Sequence, residues 1–256
     1  MTDFAINVLT APLGKTHLFS VGQAGYLIKS AGGTLLGVDL YLSECVERLE
    51  GHRGFKRLLP KLLGPFDLTM DVLIATHPHW DHFDPDALPQ LMHDGRTRLF
   101  ASVDCEREMA RLQMGEANAT YVRPGDECRA GDFTLHFVNC DHGTGAPDAV
   151  GVVIEVDGKR IYMAGDTCLR LDRTEEALRW GSIDVLIAPI NGAYGNLNED
   201  ECARLSAALA PGLTIPSHYG MFAAHGGDVG RFYRIMTETY PERPFLLMAM
   251  GERATL

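Results

Sequence analysis

Nothing in the 256 residues is long and apolar enough to span a bilayer. The longest runs, such as Asp71–Ala75 and Phe245–Met250, fall far short of the about 20 residues a crossing helix needs. Cationic residues are also scarce: Lys and Arg number 23 against 34 Asp and Glu, a formal charge of −11. A nucleic-acid partner demands a basic face, so this deficit argues against one. Six cysteines, at 45, 105, 128, 140, 168 and 202, include no C-x-x-C pair, which speaks against a disulfide scaffold or a zinc ribbon. The opening residues 1–10 lack the basic and apolar regions of a signal peptide. The expectation is a soluble cytoplasmic protein with reduced thiols and no membrane partner. Low-complexity tracts, Pro/Ser-rich linkers and fixed-period repeats are missing as well, so residues 1–256 are expected to form one domain.

What is present is a full core and many histidines. The chain is 46% hydrophobic and 22% charged, a globular balance, and it carries ten histidines. Strands are expected at 25–29 and 34–39 around the turn Ala31-Gly32-Gly33, and at 71–76, 98–102 and 133–138. Two more, 150–156 and 160–164, flank Asp157-Gly158, a strong hairpin signal. The region 43–63 reads as helical, weakened by Gly51 and Gly54, and further helices are expected at 85–93 and 104–114. The remainder alternates: helix 174–180, strand 184–188, helix 198–210, strand 213–217, helix 227–240, strand 244–248. Two sheets packed face to face, with helices outside, would satisfy this order.

The strand at 71–76 runs directly into His77-Pro78-His79-Trp80-Asp81-His82, four metal-capable side chains in six residues. His77 and His79 are two apart, so an extended backbone points both the same way, and Pro78 favours that backbone. The chain must then turn for Asp81 and His82 to reach a neighbouring point. The pattern suggests two adjacent metals, which in such sites sit about 3.5–4 Å apart. Four ligands cannot complete two sites. His142, Asp166 and His218 each follow an expected strand and are candidates to add the rest.

The other histidines, 17, 52, 93, 136 and 225, end no buried strand and read as ordinary residues, His225 being the nearest to a candidate ligand. Cys168, two residues past Asp166, has no activating partner and reads as a structural thiol. Asn191, Tyr194, Asn196 and Asn198 crowd a Gly-broken loop that could hold a substrate or merely satisfy its own backbone. Tyr219, beside His218, is a candidate pocket residue with core packing as its rival. Lys15, Arg170 and Arg173 could hold a phosphate, with a solvated face as the default reading.

These residues resemble the ligand set of the metallo-β-lactamase superfamily. The resemblance rests on His77-x-His79-x-Asp81-His82, His142, Gly165-Asp166-Thr167 and His218. Residues 22–28, 39–43, 76–84, 189–196 and 215–222 are similar to the L-ascorbate 6-phosphate lactonase-like branch. It implies an α+β fold, a four-layer αββα sandwich, with a binuclear site at the rim between the sheets. By the same resemblance, His77, His79 and His142 hold one divalent ion, and Asp81, His82 and His218 a second, with Asp166 bridging. The ions are Mn²⁺ or Zn²⁺, with Fe²⁺ a further option, since the donors are all N and O.

The activity so implied is opening of a phosphorylated sugar lactone by a hydroxide shared between the metals. Asp81 orients that hydroxide and passes a proton to the leaving oxygen. Asn191, Tyr194, Asn196 and Tyr219 would face a small anionic substrate. A homo-oligomer is expected because the family often assembles. His79 stands where a flavodiiron-type redox site would carry Glu, and the extra domains or basic arm of a nuclease are not visible. The alternatives are a phosphodiesterase or phospholipid-type hydrolase on the same fold, or a metal-binding protein without turnover.

Overall fold

Connection length decides how the strands pair. Apolar runs separated by a few turn residues fold back as antiparallel neighbours, whereas runs separated by a helical segment lie parallel. A computed structural model describes residues 1–115 and 117–256. In it β1 (His17–Gly22), β2 (Gly25–Lys29) and β3 (Leu35–Val38) form an antiparallel run. Strands β4 (Val72–Ala75), β5 (Arg98–Ser102) and β6 (Ala119–Val122) extend that sheet in parallel. The second sheet repeats the plan. Strands β7 (Glu127–Ala130), β8 (Phe133–Asn139), β9 (Val150–Val156) and β10 (Lys159–Met163) are antiparallel, and β11 (Val185–Pro189) and β12 (Leu213–Ser217) follow in parallel. The last strand, β13 (Arg253–Thr255), closes the first sheet against β1, with His17 opposite Thr255.

The β9–β10 hairpin turns on Asp157 and Gly158, both at positive φ (50° and 76°), the geometry a two-residue primed turn requires. Helix α1 (Asp3–Thr10) begins at Thr2, whose hydroxyl accepts from the Ala5 amide at 3.2 Å. Its C-terminal end has no basic residue of its own. Lys29, from β2, supplies one instead, donating to the carbonyls of Val8, Leu9 and Ala11 at 3.0, 2.8 and 3.0 Å. The remaining helices are α2 (Cys45–Glu50), α3 (Leu88–Leu91), α4 (Glu106–Arg111), α5 (Thr174–Leu178), α6 (Glu199–Leu209) and α7 (Val229–Glu238).

Alternation along the strands sorts the core into layers. In β4, Val72 and Ile74 face the second sheet, while Leu73 and Ala75 face the helical layer of α1, α3 and α4. In β11, Val185 and Ile187 face the first sheet, while Leu186 and Ala188 face α5, α6 and α7. Both sheets are thus covered on both faces, so their parallel strands read as unbroken apolar runs. The result is the expected αββα sandwich of two mixed sheets flanked by helices. No helix among the described residues is long and apolar enough to cross a membrane.

Several elements differ from the sequence reading. The helix expected over 43–63 is only α2 plus a 3-10 turn at Gly51–Arg53, because Gly54 takes φ 93° and stops it. The helix expected over 85–93 shrinks to α3. The strand expected at 244–248 is a single bridge from Phe245 to Thr214, made by two hydrogen bonds to the edge of β12, from the Thr214 amide to Pro244 O and from the Leu246 amide to Thr214 O, 2.9 Å each. Helix α1 and strands β1, β6, β7 and β13 were not expected. Strands β6 and β7 are four residues long with exposed polar positions, and each buries only one side chain fully, which hides them.

Candidate metal centre

Every expected ligand lies just past the C-terminal end of a strand. His77 follows β4, His142 follows β8, Asp166 follows β10 and His218 follows β12. Because β8, β10, β11 and β12 run in one direction, their ends meet along one rim. The two sheets are tied together there by backbone hydrogen bonds. The amide of Val150 donates to Thr76 O at 3.0 Å, and that of His218 to Gln23 O at 3.0 Å. His218 takes φ 61°, a turn that swings its ring back over the rim.

The structure brings these side chains together in overlapping groups. His77, His79 and His142 form one, His77, His82 and Asp166 a second, and Asp81, His82 and His218 a third, each with donor atoms within 4.8 Å. His79 Nδ1 lies 2.9 Å from His77 Nε2 and 3.0 Å from His142 Nε2. His82 Nε2 lies 3.2 Å from His218 Nε2. Asp166 Oδ2 is 3.4 Å from His82 Nε2 and 3.1 Å from His218 Nε2, and Asp81 Oδ2 is 3.7 and 3.5 Å from the same two atoms. Donors at about 2.0–2.1 Å from a tetrahedral ion would be separated by about 3.3 Å. The residues therefore fit a divalent ion. Their chemistry points the same way: several imidazole nitrogens face one another, and protons alone cannot satisfy them all.

A proton inventory explains which nitrogens face inward. Asp39, at the end of β3, is 2% exposed. Its Oδ1 accepts from the Thr76 amide at 2.8 Å, and its Oδ2 from the Thr76 hydroxyl at 2.7 Å and from His82 Nδ1 at 2.8 Å. Thr76 has spent its only hydroxyl proton on Asp39. It must accept at the 3.1 Å contact with His77 Nδ1, so that nitrogen carries a hydrogen. His77 is left with a bare Nε2 lone pair aimed at the cluster, and His82, held at Nδ1 by Asp39, presents Nε2 there as the position a metal would take from a proton. A carboxylate behind a ligating histidine fixes tautomer and orientation in this way.

Electrostatics divide the centre into two halves. Burial lowers His77 well below the ordinary histidine value and His142 to about 4, so these imidazoles are neutral and ready to donate lone pairs. Burial also acts against a charge on His82 and His218, but there Asp166 and its carboxylate neighbours outweigh it. They hold His82 well above its usual value and His218 at about 9. The same contacts keep Asp81 and Asp166 ionised against their own burial. Metal entry at this half must displace protons.

Gln23, in the β1–β2 turn at φ 55°, is a site residue the sequence did not single out. Its amide nitrogen lies 2.7 Å from Asp81 Oδ2, 3.2 Å from His218 Nε2 and 3.1 Å from His225 Nδ1. His225 was read as ordinary. It stacks on His218 with centroids 4.8 Å apart, and it lines the cavity above the cluster. The other four histidines lie outside the centre. His17 bonds Thr255 and Pro12, His136 stacks on Trp180, and His52 and His93 are exposed.

That cavity has a volume of about 580 Å³, with His79, Asp81, His142 and Asp166 at its floor. Of the four expected substrate residues, Tyr194 and Asn196 line it, and Asn196 donates to Asp166 Oδ2 at 2.7 Å. Asn191 and Tyr219 do not. Asn191 is buried in a bridge to Asn198, and Tyr219, turned away by the backbone at His218, packs with the apolar cluster beneath α6 and α7. Asn198 caps α6, accepting from the Glu201 amide at 3.0 Å while Glu201 bonds back. Lys15, Arg170 and Arg173 are all outside the cavity, and Arg170 pairs with Asp141 and Asp172 at 2.7 Å each. Burial pushes the Cys168 thiol up, away from the thiolate form.

Comparison with known proteins finds the profile of the beta-lactamase superfamily domain matching residues 49–219, about two thirds of the chain. A metal-dependent hydrolase from Anaeromyxobacter dehalogenans is 29% identical over 231 residues, covering 85% of this chain and 79% of the relative. Among solved structures, a possible metal-dependent hydrolase from Veillonella parvula aligns with TM-score 0.75 and 19% identity, over 95% of this chain and 100% of that one. A metallo hydrolase from Ignicoccus hospitalis aligns with TM-score 0.74 and 19% identity, over 94% and 98%. At these identities the two structures establish likeness of fold.

Proposed function

This chain belongs to the beta-lactamase superfamily, and from that premise we propose that it is a metal-dependent hydrolase opening a lactone or comparable carboxylic ester. The observation that carries the reading is the convergence of seven donor side chains from four strand ends on one rim, beneath an open cavity. His77, His79 and His142 would hold one ion and Asp81, His82 and His218 another, with Asp166 between them. Bound there, divalent ions would supply a water acidic enough to attack at neutral pH and a Lewis acid for the carbonyl oxygen.

The chain's own groups then divide the remaining work. Asp81 is anchored by Gln23 at 2.7 Å and faces the cavity, so it can take the attacking water's proton and return it to the leaving alkoxide. Asn196 fixes Asp166 from the cavity side. Asp39 and Thr76 keep His77 and His82 in the tautomers that donate inward.

Metal content and a substrate panel test the reading. Purified protein is expected to carry up to two divalent ions per chain and to open simple lactones, and Asp166→Asn to lose that turnover. Full turnover by Asp166→Asn, or cleavage of bis-p-nitrophenyl phosphate with no lactone opened, would refute it.

A further inference from the structure

The cavity wall has a composition that the metal centre does not require. Val46 and Leu49 reach it from α2, Phe55 from the loop that follows, Pro78 and Trp80 from the histidine motif, and Tyr194 from the β11–α6 loop. Four separate segments thus deliver apolar surface to one place. Two of these side chains remain largely in water at the mouth, Leu49 at 48% exposure and Tyr194 at 61%. Phe55 meets Tyr194 at 5.8 Å and His225 at 5.4 Å between ring centroids, so one aromatic wall runs from the mouth to the metal-binding cluster.

The charges on the wall are already neutralised. Arg111, its one arginine, pairs with Glu108 at 2.8 Å and lies over the Trp80 ring at 5.4 Å. Glu108 also accepts from Trp80 Nε1 at 3.2 Å, and Glu50 is paired with Arg53 at 3.0 Å. Among the described residues the wall has no lysine and no unpaired arginine. A phosphate carried by the substrate would lie beside Glu50 and Glu108 without a cation to receive it, away from the ions at the floor. With both carboxylates paired and the one arginine engaged, the wall offers a phosphate no free partner.

The geometry points to a substrate whose non-reacting part is a neutral apolar group, an aryl ring or a branched or medium-length alkyl chain, held between Phe55, Trp80 and Tyr194. This inference rests on the hydrolase reading above and narrows it, since it departs from the phosphorylated sugar that the sequence resemblance implies. The volume suits it: about 580 Å³ falls within the range of sites that enclose small organic ligands, and such sites are lined chiefly by apolar and aromatic side chains.

Two measurements test the inference separately from the reaction. The first is equilibrium binding to the metal-loaded protein, read from tryptophan fluorescence in a Trp180→Phe background, where Trp80 is the sole remaining indole. The probes are 4-phenylbutan-2-one, neutral and not hydrolysable, and glucose 6-phosphate. Saturable quenching by the ketone is expected, with no response to the sugar phosphate over the same range. Phe55→Ala should weaken the ketone about ten-fold. So should Leu49→Glu, a half-exposed position where folding is little affected. The second is kcat/KM for γ-lactones of increasing side-chain length, expected to rise about four-fold per methylene until the cavity is filled. Binding of the sugar phosphate in preference to the ketone, or indifference to both substitutions, overturns the inference. If the ketone binds as stated but no lactone is opened, the proposed reaction fails and the inference stands. If lactones are opened without gain from chain length and the ketone does not bind, the inference fails and the reaction stands.

Discussion

Replacing Asp39 by Asn tests the inventory of protons behind the metal centre. The two side chains have the same shape, and Asn tolerates the positive φ of 48° at this position, so the backbone is undisturbed. Three donors converge on the two carboxylate oxygens: the Thr76 amide on one, and the Thr76 hydroxyl and His82 Nδ1 on the other. An amide group turns one of those acceptors into a donor. With its nitrogen at the second oxygen's place, His82 Nδ1 becomes the acceptor, and its proton moves to Nε2, where a metal needs the lone pair. With the nitrogen at the first oxygen's place, it faces the buried amide of Thr76, donor to donor. Either way a hydrogen bond to a charged group, about 1.5–3 kcal/mol, is lost. Metal affinity should fall by about 10–100-fold, or roughly 1.4–2.7 kcal/mol. Competition with a chromophoric chelator measures this, and circular dichroism reports whether the fold is kept. A folded Asp39→Asn protein with affinity within about two-fold of the parent would refute the tautomer argument. Thr76→Val strips the acceptor from His77 and one of three donors from Asp39 but leaves the His82 contact intact, and should produce a smaller loss.

The metal-free protein should lose stability as pH rises from about 6.5 to 9. His218 has its pKa raised to about 9, so its contribution is whole below the unfolded value near 6.5 and vanishes as the folded group deprotonates. Melting curves across that window check it, and a flat or rising melting temperature without metal contradicts it. Lys29→Met should destabilise the fold by about 2–4 kcal/mol, because it strands three carbonyls at the end of α1, and denaturant titration gives the value. Phe137→Ala removes a fully buried ring, 6.4 Å from Phe100 between the sheets, and should cost about 3–5 kcal/mol by the same titration.

Much of the centre was legible because its signal is local. His77 to His82 are contiguous, and His142, Asp166 and His218 each end a strand whose apolar run is visible in the sequence. The hairpin at Asp157-Gly158 was legible for the same reason: the residue types that permit the backbone stand at the position that needs it. The elements that escaped notice get their stability from elsewhere. Helix α1 is completed by Lys29 from another strand, and β13 exists only as a partner for β1.

The same division holds for chemistry. By itself the sequence determined the apolar strand runs and the dense His77–His82 cluster, because both are written in neighbouring residues. Only the tertiary structure decided which side chains stand around those donors. Asp39, Gln23 and His225 are separated from His82 by 43, 59 and 143 positions, and no spacing rule connects them. It also decided that Tyr219 turns away, and that Arg111 is already taken by Glu108. A hydrogen bond or an ion pair depends on distances of a few ångströms between strand ends. Those distances are fixed when the two sheets close on their shared apolar core.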